Sequence, residues 1–153
     1  MASAVCANKK MEVDNNSLAL LEPLIGRWTM EVQTAQGSAY GITTIEWIEG
    51  RGFIRIIADN NPNAPPSSVC LIGRDQDRVG FDVLYVDERG LARSYQMSFA
   101  GGIWRIWRDQ PGSFQRFQAR LNIEGNELVG SWERSSRGAS WEHDFHIAYR
   151  RVE

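Results

Sequence analysis

The chain has 153 residues, 42% of them hydrophobic and 24% charged, which suits a single globular domain with its own core. Its 17 basic and 19 acidic residues leave a formal charge of −2 and form no basic run, so attraction to nucleic-acid phosphates is not expected. Two cysteines, Cys6 and Cys70, and no continuous apolar run of signal-peptide or membrane-spanning length point to a soluble cytoplasmic protein without a structural disulfide.

Residues 1–16 are polar and aperiodic, so they read as a flexible tail ahead of one folded domain over 17–153. "NSLALLEPLIG" reads as a short helical turn, capped by Asn16 or Ser17 and limited by Pro23 and Gly26. After Gly26 the helical period is lost. Ten short runs follow, divided by turn signals such as "AQG", "IEGRG", "DERG", "AGG", "DQPG" and "SSRGAS". They predict strands over 27–35, 40–48, 52–59, 67–74, 79–87, 91–100, 102–108, 113–121, 127–134 and 140–151. A meander of that size leaves two bare edges unless it closes, so an all-β, closed antiparallel up-and-down barrel is expected. The longest break, the Asn/Pro/Ser stretch 59–68, reads as a mobile loop at the barrel's open end.

Alternation along the strands sorts inner from outer residues. Trp28, Met30 and Val32 share one row of the first strand, and Phe81, Val83 and Tyr85 one row of the fifth. Leu91, Arg93, Tyr95, Met97 and Phe99 share a row in the sixth, so Arg93 is expected inside. In the last strand Trp141, His143, Phe145, Ile147 and Tyr149 alternate with Glu142, Asp144, His146 and Ala148. That pattern predicts His143 inside and His146 outside. "IWRIWR" carries a Trp and an Arg on each face and cannot be oriented, and the eighth strand is ambiguous by the same test, which leaves Arg108 and Arg116 unassigned.

"LIGRW" at the head of the first strand resembles the Gly-x-Trp signature of the calycin superfamily, in which a helical turn leads into the first strand and the Trp plugs one barrel end. The segments "EWIEGRGF", "IGRDQD", "YVDERGLARSYQMSF", "GIWRIWR", "FQRFQARL" and "LVGSWERSSRGASWEHDFHIAYRR" resemble uncharacterised bacterial calycin-like domains over about residues 18–151. Ten strands are closer to the fatty-acid-binding-protein and nitrobindin branches than to eight-stranded lipocalins. The resemblance implies a barrel that holds a small molecule. Fatty-acid-binding proteins grip a carboxylate with an Arg-x-Tyr pair on the terminal strand; here Arg93-x-Tyr95 lies on the sixth, and Ile147 precedes Tyr149 on the last. Nitrobindin-like barrels bind haem through a terminal-strand His, and by eye that position matches Asp144 here.

The expected ligand site is therefore Arg93 for an anionic group, Tyr95, His143 and Tyr149 for hydrogen bonds, and Trp28, Trp104 and Trp141 for apolar wall or floor. Arg108 is a further candidate for positive charge. An arginine kept inside the barrel needs a partner, because an unpaired buried guanidinium is costly. No acidic residue falls on the inner rows of the strands that can be oriented, and Asp82 and Glu46 lie on ambiguous ones, so a bound anion is the leading partner. An enzyme with His143 as acid–base and Arg93 as anion stabiliser is the alternative reading, and haem binding a further one. No hydrolase, phosphate-loop or zinc motif is present, and "EHDFH" reads as a solvated outer face rather than a metal site. The expectation is a small-molecule binder more than an enzyme, with no resident metal or cofactor.

Overall fold

The structure, a computed structural model, describes residues 17–48 and 50–152. The expected tail and Cys6 lie outside the described residues. A 3-10 helix, Leu18–Leu24, precedes ten strands: β1 Gly26–Thr34, β2 Gly37–Ile48, β3 Phe53–Asn60, β4 Ser68–Arg74, β5 Phe81–Asp87, β6 Ala92–Ala100, β7 Ile103–Gln110, β8 Ser113–Leu121, β9 Glu127–Ser135 and β10 Glu142–Arg151. Each strand is antiparallel to its neighbours in chain order, and β10 returns to pair with β1. The barrel is closed, and closure removes the free edges that an open meander would expose.

Alternation decides what fills it. Trp28, Met30 and Val32 of β1, Phe81 and Val83 of β5, Tyr95 and Met97 of β6, and Phe117 and Ala119 of β8 are all buried. Their outer neighbours carry the charge, as in the outer pairs Arg55–Glu46 and Arg116–Glu133. A register slip of one residue would reverse both rows at once, so the pattern fixes the register.

One end of the barrel is plugged. Ser17 caps the helix by accepting from Ala19 N, and Leu21 and Leu24 face inward beneath it. Trp28 is fully buried and its Nε1 donates to Leu24 O at 3.0 Å. Arg151, the last residue of β10, lies 4.1 Å over the Trp28 ring and donates to Pro23 O, Ile25 O and Gly125 O. Trp47 Nε1 and Arg51 both donate to Glu22, which ties the helix to the β2–β3 turn. Those two bonds hold the Glu22 carboxyl below the usual carboxylate range, the Trp47 bond first.

Two departures from regularity matter for the site. In β10 the pairing with β9 slips between His143 and Phe145: His143 is opposite Glu133, and Phe145 is opposite Trp132. The extra residue at Asp144 reverses the parity of everything before it. The second departure is in the β6–β7 seam. β6 pairs with β5 as far as Val86↔Ala92, and β7 pairs with β8 as far as Gln110↔Ser113. Between β6 and β7 the ladder stops at Gln96↔Trp107, so residues 92–95 and 108–110 have no backbone pairing across the seam.

Candidate functional site

Above the plug lies a cavity of about 340 Å³. That is at the small end of the range for small-molecule sites. Its lower wall is apolar, with Met30, Ile56, Val83, Trp104, Ile106 and Ile147. Towards the end opposite Trp28 the lining turns polar, with Asn60, Tyr85, Arg89, Arg93, Gln115 and Asp144.

Arg93 does face the cavity, and neither Asp82 nor Glu46 is its partner. Asp82 pairs with Arg78 and Glu46 with Arg55, both on the outer wall. Arg93 Nη1 instead donates to Gln115 Oε1 at 3.2 Å, and Tyr95 Oη donates to the same oxygen at 2.7 Å. One neutral oxygen thus serves a guanidinium and a phenol. A guanidinium has five donors, so most of Arg93's capacity is left over. Leu91, expected in the same inner row, is exposed, because β6 begins at Ala92 and Leu91 belongs to the turn.

Beside this group sits a satisfied counterpart. The Asp87 side chain is shielded from solvent and receives Arg89 Nε, Arg89 Nη2 and Tyr85 Oη. Arg89's bonds hold the Asp87 carboxyl well below the usual carboxylate range, against burial that would raise it. Burial, followed by the bond to Asp87, pushes the Tyr85 phenol up. Deeper in the cavity burial also raises the Tyr149 phenol and pushes the Cys70 thiol to about 12, so both stay protonated at neutral pH.

Two buried polar atoms in the lining have no hydrogen-bond partner: Trp104 Nε1 and Asn60 Oδ1. Buried donors left single are rare and ask for an explanation. Trp104 is 3% exposed and packs edge-on against Phe117 at 5.1 Å, so its ring is held with the N–H unused.

The other expected residues divide. Tyr95, Tyr149 and Trp104 line the cavity with Arg93. Trp28 belongs to the plug beneath it. Arg108 lies on the inner row beside Gln115, reaches Ser113 Oγ at 3.3 Å, and lines a groove at the β6–β7 seam rather than the cavity. His143 is exposed on the outer face, its ring 4.2 Å from that of His146, and does not line the cavity. The bulge at Asp144 is the reason: it brings Asp144 and Phe145 to the cavity and turns His143 out. It also parts Asp144 from His146, so the "EHDFH" carboxylates and imidazole do not share one face, and among the described residues no cluster of metal-ligating side chains forms. Trp141, upstream of the same bulge, lies under Arg116 at 3.9 Å on the outside and is not part of the wall.

Tyr85, Asp87, Arg89, Gln115 and Cys70 were not singled out from the sequence. For the first three a signal was present, since "YVDER" places Tyr85 and Asp87 on one row at the end of a strand and Arg89 two residues further, in the turn that follows.

A broader depression of about 630 Å³ crosses the outer faces of β7, β8 and β9. Two of its three arginines are occupied, Arg116 by Glu133 and Arg105 by Gln118, and none of its lining atoms is a buried polar group without a partner. Among the described residues no helix is long and apolar enough to cross a membrane.

No family model matches the chain, and no curated protein matches it in sequence. Among solved structures it is similar to the crystal structure of Rv2717c from M. tuberculosis, with 14% identity over 89% of this chain and 97% of that one and a TM-score of 0.62. At that identity the likeness is one of fold: a closed ten-stranded antiparallel barrel behind a short N-terminal helix.

Proposed function

We propose that the barrel binds a small, partly apolar molecule whose anionic group meets Arg93. The observation that carries this reading is Arg93 itself: it lines the cavity, and its one hydrogen bond goes to a neutral oxygen shared with Tyr95. A carboxylate, sulfonate or phosphate would take the unused donors and remove the cost of keeping the charge inside. The apolar walls suit the rest of the molecule, and the free Trp104 N–H suits a carbonyl or other acceptor at its inner end. The plugged end built on Trp28 supports kinship with calycin-like barrels.

Haem is a poor fit. Neither histidine reaches the cavity, and Asp144, the residue in the aligned ligand position, is a carboxylate already 3.9 Å from Arg134. Titration with hemin should give no sharp stoichiometric Soret band; one that disappears in His143→Ala would refute this. The enzymatic alternative rested on His143 as acid–base and loses that support with His143 outside.

The anionic, apolar fluorophore 8-anilinonaphthalene-1-sulfonate tests the reading. It should bind the unaltered protein with one-to-one stoichiometry, and Arg93→Met should weaken it by about 30-fold or more, the effect of about 2 kcal/mol. Equal affinity in the two proteins would sink the anion site.

A further inference from the structure

The unpaired part of the β6–β7 seam is a weak place in an otherwise continuous wall. Outside it lies a groove of about 450 Å³ that takes in Ser94, Gln96 and Trp107 of the outer rows. The same groove also reaches Arg93 and Tyr95, which line the central cavity. These two residues line both spaces, so together with Gln115, which holds them, they stand between inside and outside there. The backbone ladder that seals the seam lower down has ended at Gln96↔Trp107. What shuts the upper part is side chains: Arg93 and Tyr95 reach across β7 to one oxygen of Gln115 on β8. Swinging three side chains aside breaks two hydrogen bonds and the edge-on contacts of Tyr95 with Tyr85 and Trp132, but no strand pairing.

The alternative way in, at the end opposite Trp28, is tied more firmly. Pro65 and Pro66 lie over the cavity there. Asn60 Nδ2 donates to Pro65 O, and Asn60 N to Ser67 Oγ. Ser67 N donates to Glu88 Oε1 while Glu88 N donates to Ser67 O, which staples the loop to the β5–β6 turn. Moving this loop disrupts backbone bonds on two turns at once.

Charge favours the seam as well. Arg93 flanks it from β6 and Arg108 from β7, and Arg108 has a neutral hydroxyl, Ser113 Oγ, for its partner. Neither guanidinium meets a carboxylate among the described residues. Two arginines on facing strands, both with spare donors, suit a planar or tetrahedral oxyanion.

We propose that ligands pass into the cavity through the β6–β7 split, and that Arg93 and Arg108 together take the ligand's oxyanion as it passes. The inference rests on the binding reading above and adds a route and a second cation to it. The ligand class is an amphiphile with one carboxylate, sulfonate or phosphate and an apolar body narrow enough for a gap between two strands.

Stopped-flow fluorescence with two probes, neutral N-phenyl-1-naphthylamine and anionic 8-anilinonaphthalene-1-sulfonate, tests it on the full chain. Gln115→Ala removes the shared acceptor and should raise both association and dissociation rates of the neutral probe by about tenfold, as when a conformational step before binding is relieved. Tyr95→Phe, which deletes a single hydroxyl, should act in the same direction more weakly. Glu88→Ala frees the loop and should leave the rates as they are. Arg108→Met should slow association of the anionic probe and flatten its dependence on salt. The neutral probe separates a gate from simple competition for Arg93, since it has no anion to gain from a freed guanidinium. If Gln115→Ala and Tyr95→Phe leave its rates unchanged, or Glu88→Ala accelerates it more than they do, the route is overturned while cavity binding stands. If neither probe binds the unaltered protein, both fall together.

Discussion

Two arginines, one at each end of the barrel, show how the same side chain serves different purposes. Arg151 stacks on Trp28 and gives hydrogen bonds to three backbone carbonyls at the plugged end. Two of those carbonyls come from the helix end and one from the β8–β9 turn. Its charge is spread over fixed dipoles and a ring face, and each of its three nitrogens already serves the fold. Arg93 has one neutral oxygen, which it shares. The first arrangement lowers the energy of the fold; the second leaves donors available to an incoming group. Satisfaction of hydrogen-bond capacity, rather than residue type or depth, divides scaffold from site.

The contrast can be broken experimentally from the plugged end. Trp28→Ala removes the largest fully buried side chain of the barrel together with its bond to Leu24 and the platform beneath Arg151. It should cost about 3–5 kcal/mol in urea unfolding, the usual price of a core tryptophan. A loss below 1 kcal/mol would mean the plug is not part of the cooperative unit.

Methionine in place of each arginine sharpens the comparison directly. Arg151→Met should lower stability by about 2–3 kcal/mol, because charge-assisted bonds to three carbonyls are lost. Arg93→Met should leave stability within about 1 kcal/mol or raise it, since an incompletely paired charge is removed from a half-buried place. Equal losses in the two variants would erase the distinction.

The smallest effect concerns Asp87, the satisfied acid next to Arg93. Arg89 holds its carboxyl below the ordinary range in the folded chain, so the unfolded chain takes up the proton first. Its contribution to stability is complete above about pH 4, where a free aspartate ionises, and declines as the pH falls below that towards the folded value. Asp87→Asn should therefore be less stable at neutral pH and lose less on going from about pH 4 to pH 2. Parallel acid limbs in the two proteins would remove Asp87 from the balance.

Much of the vessel is legible in the sequence, and less of its contents. The rows Trp28–Met30–Val32 and Arg93–Tyr95–Met97 have one apolar face, and a strand with one apolar face has one register. Hence the barrel and the inward Arg93 follow from alternation, while the plug is what the resemblance carried by "LIGRW" implies. Gln115 escapes because within "FQRFQARL" it is the one polar residue on the row of Phe117, Ala119 and Leu121, while Phe114 interrupts the polar row of Arg116, Gln118 and Arg120, so the start of this strand reads as ambiguous. His143 is misread for a more local reason. One inserted residue at Asp144 shifts the row, and no strong apolar residue other than Trp141 lies upstream to reveal the slip; Trp141 itself stacks on the outside under Arg116. The open part of the β6–β7 seam has no sequence mark at all. It is a property of how two strands diverge, and neither strand is unusual alone.

The grip of Arg151 on the helix has a consequence for the order in which the chain is made. β1 is the first strand off the ribosome and β10 the last, yet they are neighbours in the wall. Until residues 142–151 emerge, β1 and β9 are bare edges, Trp28 lacks its cation, and the carbonyls of Pro23 and Ile25 have no guanidinium to meet. Nine strands of the nascent protein must therefore wait as an open sheet, exposed to pairing with other chains. Closure of the barrel is therefore a long-range event that waits for its last strand.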